Sequence, residues 1–253
     1  MTGPEPLRLL GLPVHAVTLN QAVLLVERAV LRGQKTEALR HIALNAGKVV
    51  ACGDHPALAA AVQRAGLVTA DGVGVLLLAR RLGVSLPERV TGIDLMEALC
   101  ARAAIRGWPV FLLGAAPGVA NHAARTLVQR YPALTIAGTH HGYFDPSQSA
   151  AMAERVRASG ARLLFVGMNT PRKELFVDAY ADAAGVDFAM GVGGAFDVLA
   201  DRVRRAPLWL QGAGFEWAWR WAQEPRRLFP RYGIDGVRFL VKVAGARRGH
   251  PSE

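Results

Sequence analysis

Short apolar runs alternate along this chain with longer stretches in which apolar positions recur every three or four residues, as when strands exchange with amphipathic helices. Strand-like runs fall at 40–44, 67–70, 109–113, 134–138, 162–166 and 187–190. Helical patterns fall among them at 22–32, 57–64, 93–106, 117–131, 147–158 and 171–181. Thr18 and Gln21 form a capping-box pair ahead of the first helix. Strands that are apolar throughout, separated by helices of about ten or more residues, predict βαβ units and a parallel sheet buried on both faces. The fold class expected for residues 1–203 is α/β, a Rossmann-like parallel sheet sandwiched by helices.

Beyond residue 203 the alternation stops. Residues 204–253 predict a C-terminal amphipathic helical appendage, interrupted at Pro225, Pro230 and Gly233. Composition sharpens this boundary. Between Arg202 and Arg248 eleven Lys/Arg face three acids, so this stretch carries eight of the chain's ten net positive charges. It also holds Trp209, Trp217, Trp219 and Trp221, four of the five tryptophans. Rings interleaved with arginines suit an anionic, partly apolar partner such as phospholipid headgroups or a lipid-linked phosphate. Packing of the tryptophans against the body or a partner subunit is the alternative. The body has no basic stripe and no recognisable nucleic-acid motif, so no nucleic-acid partner is expected.

No run of about 18 apolar residues could span a bilayer, and the Pro- and Glu-containing N-terminus does not follow a signal-peptide pattern. Cys52 and Cys100 stand alone in apolar contexts and predict buried thiols of a reducing compartment. A cytoplasmic chain peripherally associated with the inner face of the cell membrane is the localisation expected.

In a parallel α/β sheet, ligands collect beyond the carboxyl ends of the strands. The predicted strands end at Asn45, at Asp71-Gly72, at Gly114, at Gly167 and at Gly191. The runs 114–118 and 191–194 are candidate diphosphate cradles, where glycine permits close backbone approach and a helix N-terminus favours phosphate. Neither fits the dinucleotide fingerprint, no Walker A sequence exists, and a plain turn remains the other reading. Asp71 is the candidate general base, able to take a proton from a substrate hydroxyl. The competing reading makes it the N-cap of the helix that follows. A single carboxylate suits a transfer whose leaving group needs no protonation, whereas a glycosidase needs a pair. His140 and His141 predict ring contacts or hydrogen bonds within the fold rather than a metal site, no metal ligand being expected. Asp178 and Asp182 read as a solvated helix face.

The runs TADGVGV (69–75), RVTGIDLM (89–96), FLLGAAPGVA (111–120), HGYF (141–144), FVGMNTPRKE (165–174), GVGGAFDVLADRVRRAPLW (191–209) and EWAWRWAQEPRR (216–227) occur in order. Together they resemble the WecG/TagA/CpsF glycosyltransferases, glycosyltransferase family 26, over about residues 8 to 243. The resemblance implies an inverting, metal-independent transfer of a sugar from a UDP-sugar to a polyprenyl-diphosphate-linked acceptor in bacterial cell-surface polysaccharide synthesis. UDP-sugar is substrate, and no cofactor is implied. The catalytic aspartate falls on Asp71, the family's asparagine on Asn45, and its C-terminal arginines on Arg226, Arg227 and Arg231. Substrate-binding positions fall on Gly72, Thr91, Gly92 and Asp94 near the base. They continue on Gly114 and Gly118, on Gly167, Asn169, Pro171, Arg172 and Lys173, and on Gly191, Gly193, Gly194 and Asp197.

Three departures bear on the donor. Ala43 stands where the family has Thr, Met168 to Lys173 replaces Met-Gly-x-Pro-Arg-Gln, and Leu199-Ala-Asp201 replaces Leu-Ala-Gly. Lysine at 173 adds a charge that points to an acidic or differently phosphorylated ligand. Glucose, N-acetylmannosamine and uronic-acid donors all stay open, as do acceptor, linkage and homo-oligomerisation. The rival readings are another nucleotide-binding Rossmann enzyme, such as an oxidoreductase, and a non-enzymatic adaptor with a basic tail.

Overall fold

The computed structural model describes residues 4–33 and 37–246, apart from the side chains of Arg227, Pro230 and Arg231. A short hairpin, β1 (Leu7–Leu9) and β2 (Leu12–Val14), leads into α1 (Leu19–Arg32), whose capping box forms between Thr18 and Gln21 as the sequence predicts. Then follow β3 (Leu39–Leu44), α2 (Ala46–Asp54), α3 (Pro56–Arg64), β4 (Leu67–Ala70), α4 (Val73–Arg81) and α5 (Gly92–Arg106). The second half of the body holds β5 (Val110–Gly114), α6 (Val119–Arg130), β6 (Ile136–His140), α7 (Ser149–Ala158), β7 (Leu163–Gly167), α8 (Arg172–Tyr180), β8 (Phe188–Gly191) and the short α9 (Ala195–Leu199). The appendage comprises α10 (Leu208–Gly212), α11 (Glu216–Gln223), α12 (Pro225–Phe229), a π-helical turn and α13 (Asp235–Gly245).

Six strands form one all-parallel sheet in the order β4-β3-β8-β7-β5-β6. Successive side chains of a strand point to opposite faces. Val110 and Leu112 of β5 therefore join a core with α1, α5 and α6, while Phe111 and Leu113 join one with α7 and α8. A third core packs the hairpin, α2, α3 and α4 on β3 and β4. The chain leaves β5 through α6 on one face and leaves β7 through α8 on the other. These adjacent strands are thus a topological switch point, where a crevice opens at their carboxyl ends. Leu113 pairs with Val166 and Gly114 with Gly167. A β-carbon on Gly114, whose φ is 143°, would stand 2.5 Å from the Gly167 carbonyl carbon, so the two strand ends need glycine to lie this close.

The appendage is strapped to the body at both ends. Arg205 is ion-paired with Asp94, and Arg89 Nη1 lies 3.1 Å from Glu216 Oε2. Between them, a β-carbon on Gly214 would meet Val73 Cβ at 3.0 Å. At the far end Phe239 is buried against Gly74, and Arg238 forks onto both oxygens of Asp54 at 2.7 Å. No helix among the described residues is long and apolar enough to cross a membrane.

One surface expectation needs correcting. Asp178 and Asp182 are not a free solvated face: Arg64 forks onto Asp178 at 3.0 and 2.6 Å, and Arg40 pairs with Asp182. Both aspartates tie the α8 region to α3 and β3. Cys52 and Cys100 are buried free thiols, and burial pushes the Cys52 pKa up to about 11.

Candidate active site

The sheet order places the predicted site residues in a row along one edge. Reading from β4, the strand exits present Asp71, Asn45, Gly191 to Gly194, Gly167 to Pro171, Gly114 to Gly118, and finally His140. Residues far apart in sequence meet here because every strand points the same way.

Asp71 follows directly on β4, its backbone N–H donating to Leu44 O at 2.7 Å. The next residue, Gly72, has φ 101° and is itself the N-cap of α4, with no side-chain capping bond. Asp71 is therefore not spent as a cap. Its half-buried carboxylate has no hydrogen-bond or ion-pair partner among the described residues. Asn45, the neighbouring exit, does cap a helix: its Oδ1 accepts from the Lys48 N–H of α2 at 3.1 Å.

Thr91 caps α5, accepting from Asp94 N–H at 3.1 Å and donating to Asp94 Oδ2 at 2.6 Å. With Arg205 on its other oxygen, Asp94 holds the appendage as well as the helix. Gly92 sits beneath, where an added β-carbon would touch Ala43 and the Gly191 carbonyl.

On the far side of the row, Ala115 N–H donates to Gly167 O at 2.7 Å and Gly142 N–H to Ala115 O at 2.8 Å, locking three strand exits together. Gly118 precedes α6 in the left-handed region without a side-chain cap, so the N-terminus of α6 stands at the exit of β5, beside the switch point. Asn169 is exposed beside the cis Thr170-Pro171 peptide, and Pro171 heads α8. Arg172 turns toward the loop after β6, bonding Phe144 O and lying 4.5 Å from the Phe144 ring centroid. His140 and His141 have ring centroids 4.3 Å apart, and His140 Nδ1 lies 2.8 Å from His141 O.

Lys173 is buried rather than aimed into solvent, ion-paired with Glu174. Burial alone would raise the Glu174 pKa, but Lys48 and Lys173 outweigh it and hold the carboxyl at about 2.

The appendage reaches this row through a residue that sequence reasoning missed. A β-carbon on Gly194 would stand 2.9 Å from Arg220 Nη2 and 3.8 Å from Asp197 Oδ2, so the guanidinium lies over the glycine loop after β8. Arg220 also pairs with Glu224 at 3.1 Å. Its i,i+4 spacing from Glu224 is visible in the sequence, but Arg231 and Asp235 share that spacing, so the pattern does not single Arg220 out. Arg226 is exposed, and the side chains of Arg227 and Arg231 lie outside the described residues.

Beneath the row, His41 is fully buried with Nε2 2.9 Å from the Thr69 hydroxyl, which donates to Val90 O at 3.2 Å. Burial, then the charges of Lys48 and His15, lower its pKa from 6.5 to about 3. Between those values the unfolded chain binds a proton that the folded chain refuses, so stability falls as pH drops through that window. Unfolding titrations should show stability declining from pH 6.5 to 4.5, with a shallower decline in a His41→Gln protein. Equal slopes would contradict this assignment.

The model of the glycosyl transferase WecG/TagA/CpsF family matches residues 7–253. The chain belongs to that family. It is accordingly a glycosyltransferase of cell-surface polysaccharide synthesis, using a nucleotide-sugar donor and a lipid-linked acceptor.

Proposed function

We propose that the chain transfers a hexose, N-acetylhexosamine or uronic-acid unit from a UDP-sugar to a polyprenyl-diphosphate-linked acceptor, with inversion and in a single displacement. Asp71 carries the proposal: a carboxylate at a strand exit, uninvolved in capping and without a partner among the described residues, beside Asn45 and in line with the glycine loops. The acceptor hydroxyl gives its proton to Asp71 as its oxygen bonds to the anomeric carbon. The bond from that carbon to the diphosphate oxygen breaks, and its electron pair leaves with UDP. Arg220 and the first-turn amides of α6 face that developing charge. Arginine suits the role because its planar fork can engage two phosphate oxygens. No step is routed through a metal ion.

Thermal shift tests the donor class, because a ligand that binds only the native state raises its midpoint. UDP should raise the midpoint and NAD should not; the reverse would favour a dinucleotide enzyme.

The appendage serves as the membrane contact in this proposal. Its outward surface presents Leu208, Trp209, Phe215, Phe229, Val237, Leu240 and Val241, with Trp209 71% and Leu240 63% exposed. Trp219 and Trp221 are instead half-buried, their indole N–H groups bonded to Arg204 O and Pro225 O. Apolar side chains entering the interface and basic residues worth about 1 kcal/mol each near an anionic leaflet would hold the enzyme there. A Trp209→Ser/Leu240→Ser protein should bind anionic vesicles at least about a hundredfold more weakly in flotation, since each buried side chain of this size contributes roughly 1.5–3 kcal/mol and about 1.4 kcal/mol is tenfold. Unchanged flotation would remove the appendage as anchor.

A further inference from the structure

A buried ionic chain runs under the row of strand exits. Lys48 and Lys173 are each 5% exposed and Glu174 only 2%. Glu174 Oε1 lies 3.0 Å from Lys48 Nζ and 2.9 Å from Lys173 Nζ. Burying charged groups is costly, and apolar side chains of similar volume often stabilise a fold at least as well. Stability alone therefore gives no reason for this arrangement. Its ends give one.

At one end Lys48 is held twice: its ammonium donates to Ala43 O near the end of β3, and its backbone N–H donates to Asn45 Oδ1 at 3.1 Å. At the other end the Lys173 ammonium donates to the Thr170 hydroxyl, which donates to Glu174 Oε1 at 3.2 Å. Lys173 N–H also bonds Asn169 O at 3.2 Å. Midway, the methylene stem of Lys173 lies over Gly191, where an added β-carbon would stand 2.9 Å from its Cδ. The contacts run from Asn45 through Lys48, Glu174 and Lys173 to Thr170. They join the exit of β3 to the exit of β7 and pass beneath that of β8.

We infer that Lys48, Glu174 and Lys173 are positioning residues that set the spacing between the Asn45–Asp71 side of the cleft and the 168–171 loop. The inference rests on the proposed function, in which Asp71 on the first side handles the acceptor and the glycine loops that flank the second, 191–194 and 114–118, meet the departing UDP. The extra charge at Lys173 is accordingly used inside the protein, on Glu174, rather than in reading an acidic sugar. Cutting the chain at either end should loosen both ends. A residue that only stabilised its own helix would loosen that helix alone.

The test uses the full chain with Lys173→Met, Lys48→Met and the triple variant Lys48→Met/Glu174→Leu/Lys173→Met. The triple variant removes all three charges at similar volume and so keeps the fold if a single substitution does not. Two readouts are taken: amide hydrogen exchange without ligand, and UDP affinity by calorimetry. Lys173→Met is expected to speed exchange at 45–49 as well as at 168–172. The triple variant should melt near the wild-type temperature yet bind UDP at least tenfold more weakly. Wild-type protection at 45–49 in Lys173→Met, or wild-type UDP affinity in the triple variant, would overturn the inference. If the wild-type chain itself fails to bind UDP, the nucleotide reading falls, while the exchange arm still decides whether the two walls are coupled.

Discussion

An Asp71→Asn enzyme is expected to bind UDP as the wild type does and to transfer sugar about 10² to 10⁴ times more slowly, the range that general-base help supplies. Asparagine matches aspartate in shape but cannot accept the acceptor's proton. The substitution should leave the fold intact, because Gly72 is the N-cap of α4 and the Asp71 side chain bonds no group among the described residues. The measurement is initial rate at saturating donor, with the thermal midpoint as the check on folding. A folded Asp71→Asn enzyme with wild-type turnover would end its role as base.

The second large effect belongs to Arg220. With its guanidinium over Gly194, it is the described appendage arginine placed at the row of strand exits. Removing one preorganised partner of a developing anion typically costs about 10²- to 10³-fold in turnover, and Arg220→Ala is expected in that range. Arg220→Lys should recover only part of the loss, because a point ammonium cannot bind two phosphate oxygens at once. Arg238→Ala is the control: it gives up pairs with Asp54 on α2 and with Asp235 that are themselves about a third to a half exposed, and surface pairs contribute little. Equal turnover of Arg220→Ala and Arg238→Ala would show that Arg220 lends no charge to the reaction.

The parallel sheet was legible in the sequence because each strand and the helix after it are local patterns, and both are apolar on the sides that the sheet buries. The hairpin was not: β1 and β2 have three residues each, too short to show alternation. Helix α2 was missed because its opening Ala-Gly-Lys-Val-Val sets a glycine and two β-branched valines beside good helix formers, and the Asn45 cap supplies what propensity does not. The strand read at 134–138 lies at Ile136–His140, beside a register shift at Val110 and Phe111. At the site, Asp71 and the glycines could be read because strand ends are where a parallel sheet binds ligands. Arg220 could not be singled out, since which arginine of an amphipathic segment meets the body depends on the path of the strap across α5 and β8. Lys48 left a fainter trace, a single charge within the apolar stretch AGKVVAC, while Glu174 stands with Arg172 and Lys173 at the polar start of RKELFV.

The most direct test of the central claim is product analysis. The full-length enzyme would be given a panel of UDP-sugars with a polyprenyl-diphosphate-linked acceptor in the presence of a chelator, and the anomeric configuration of the new bond read by NMR. One donor should give a glycolipid with inverted configuration, with UDP released in equal amount and the reaction abolished or slowed at least a hundredfold in Asp71→Asn. A retained configuration, or transfer that proceeds unchanged in Asp71→Asn, would contradict the single displacement with Asp71 as base.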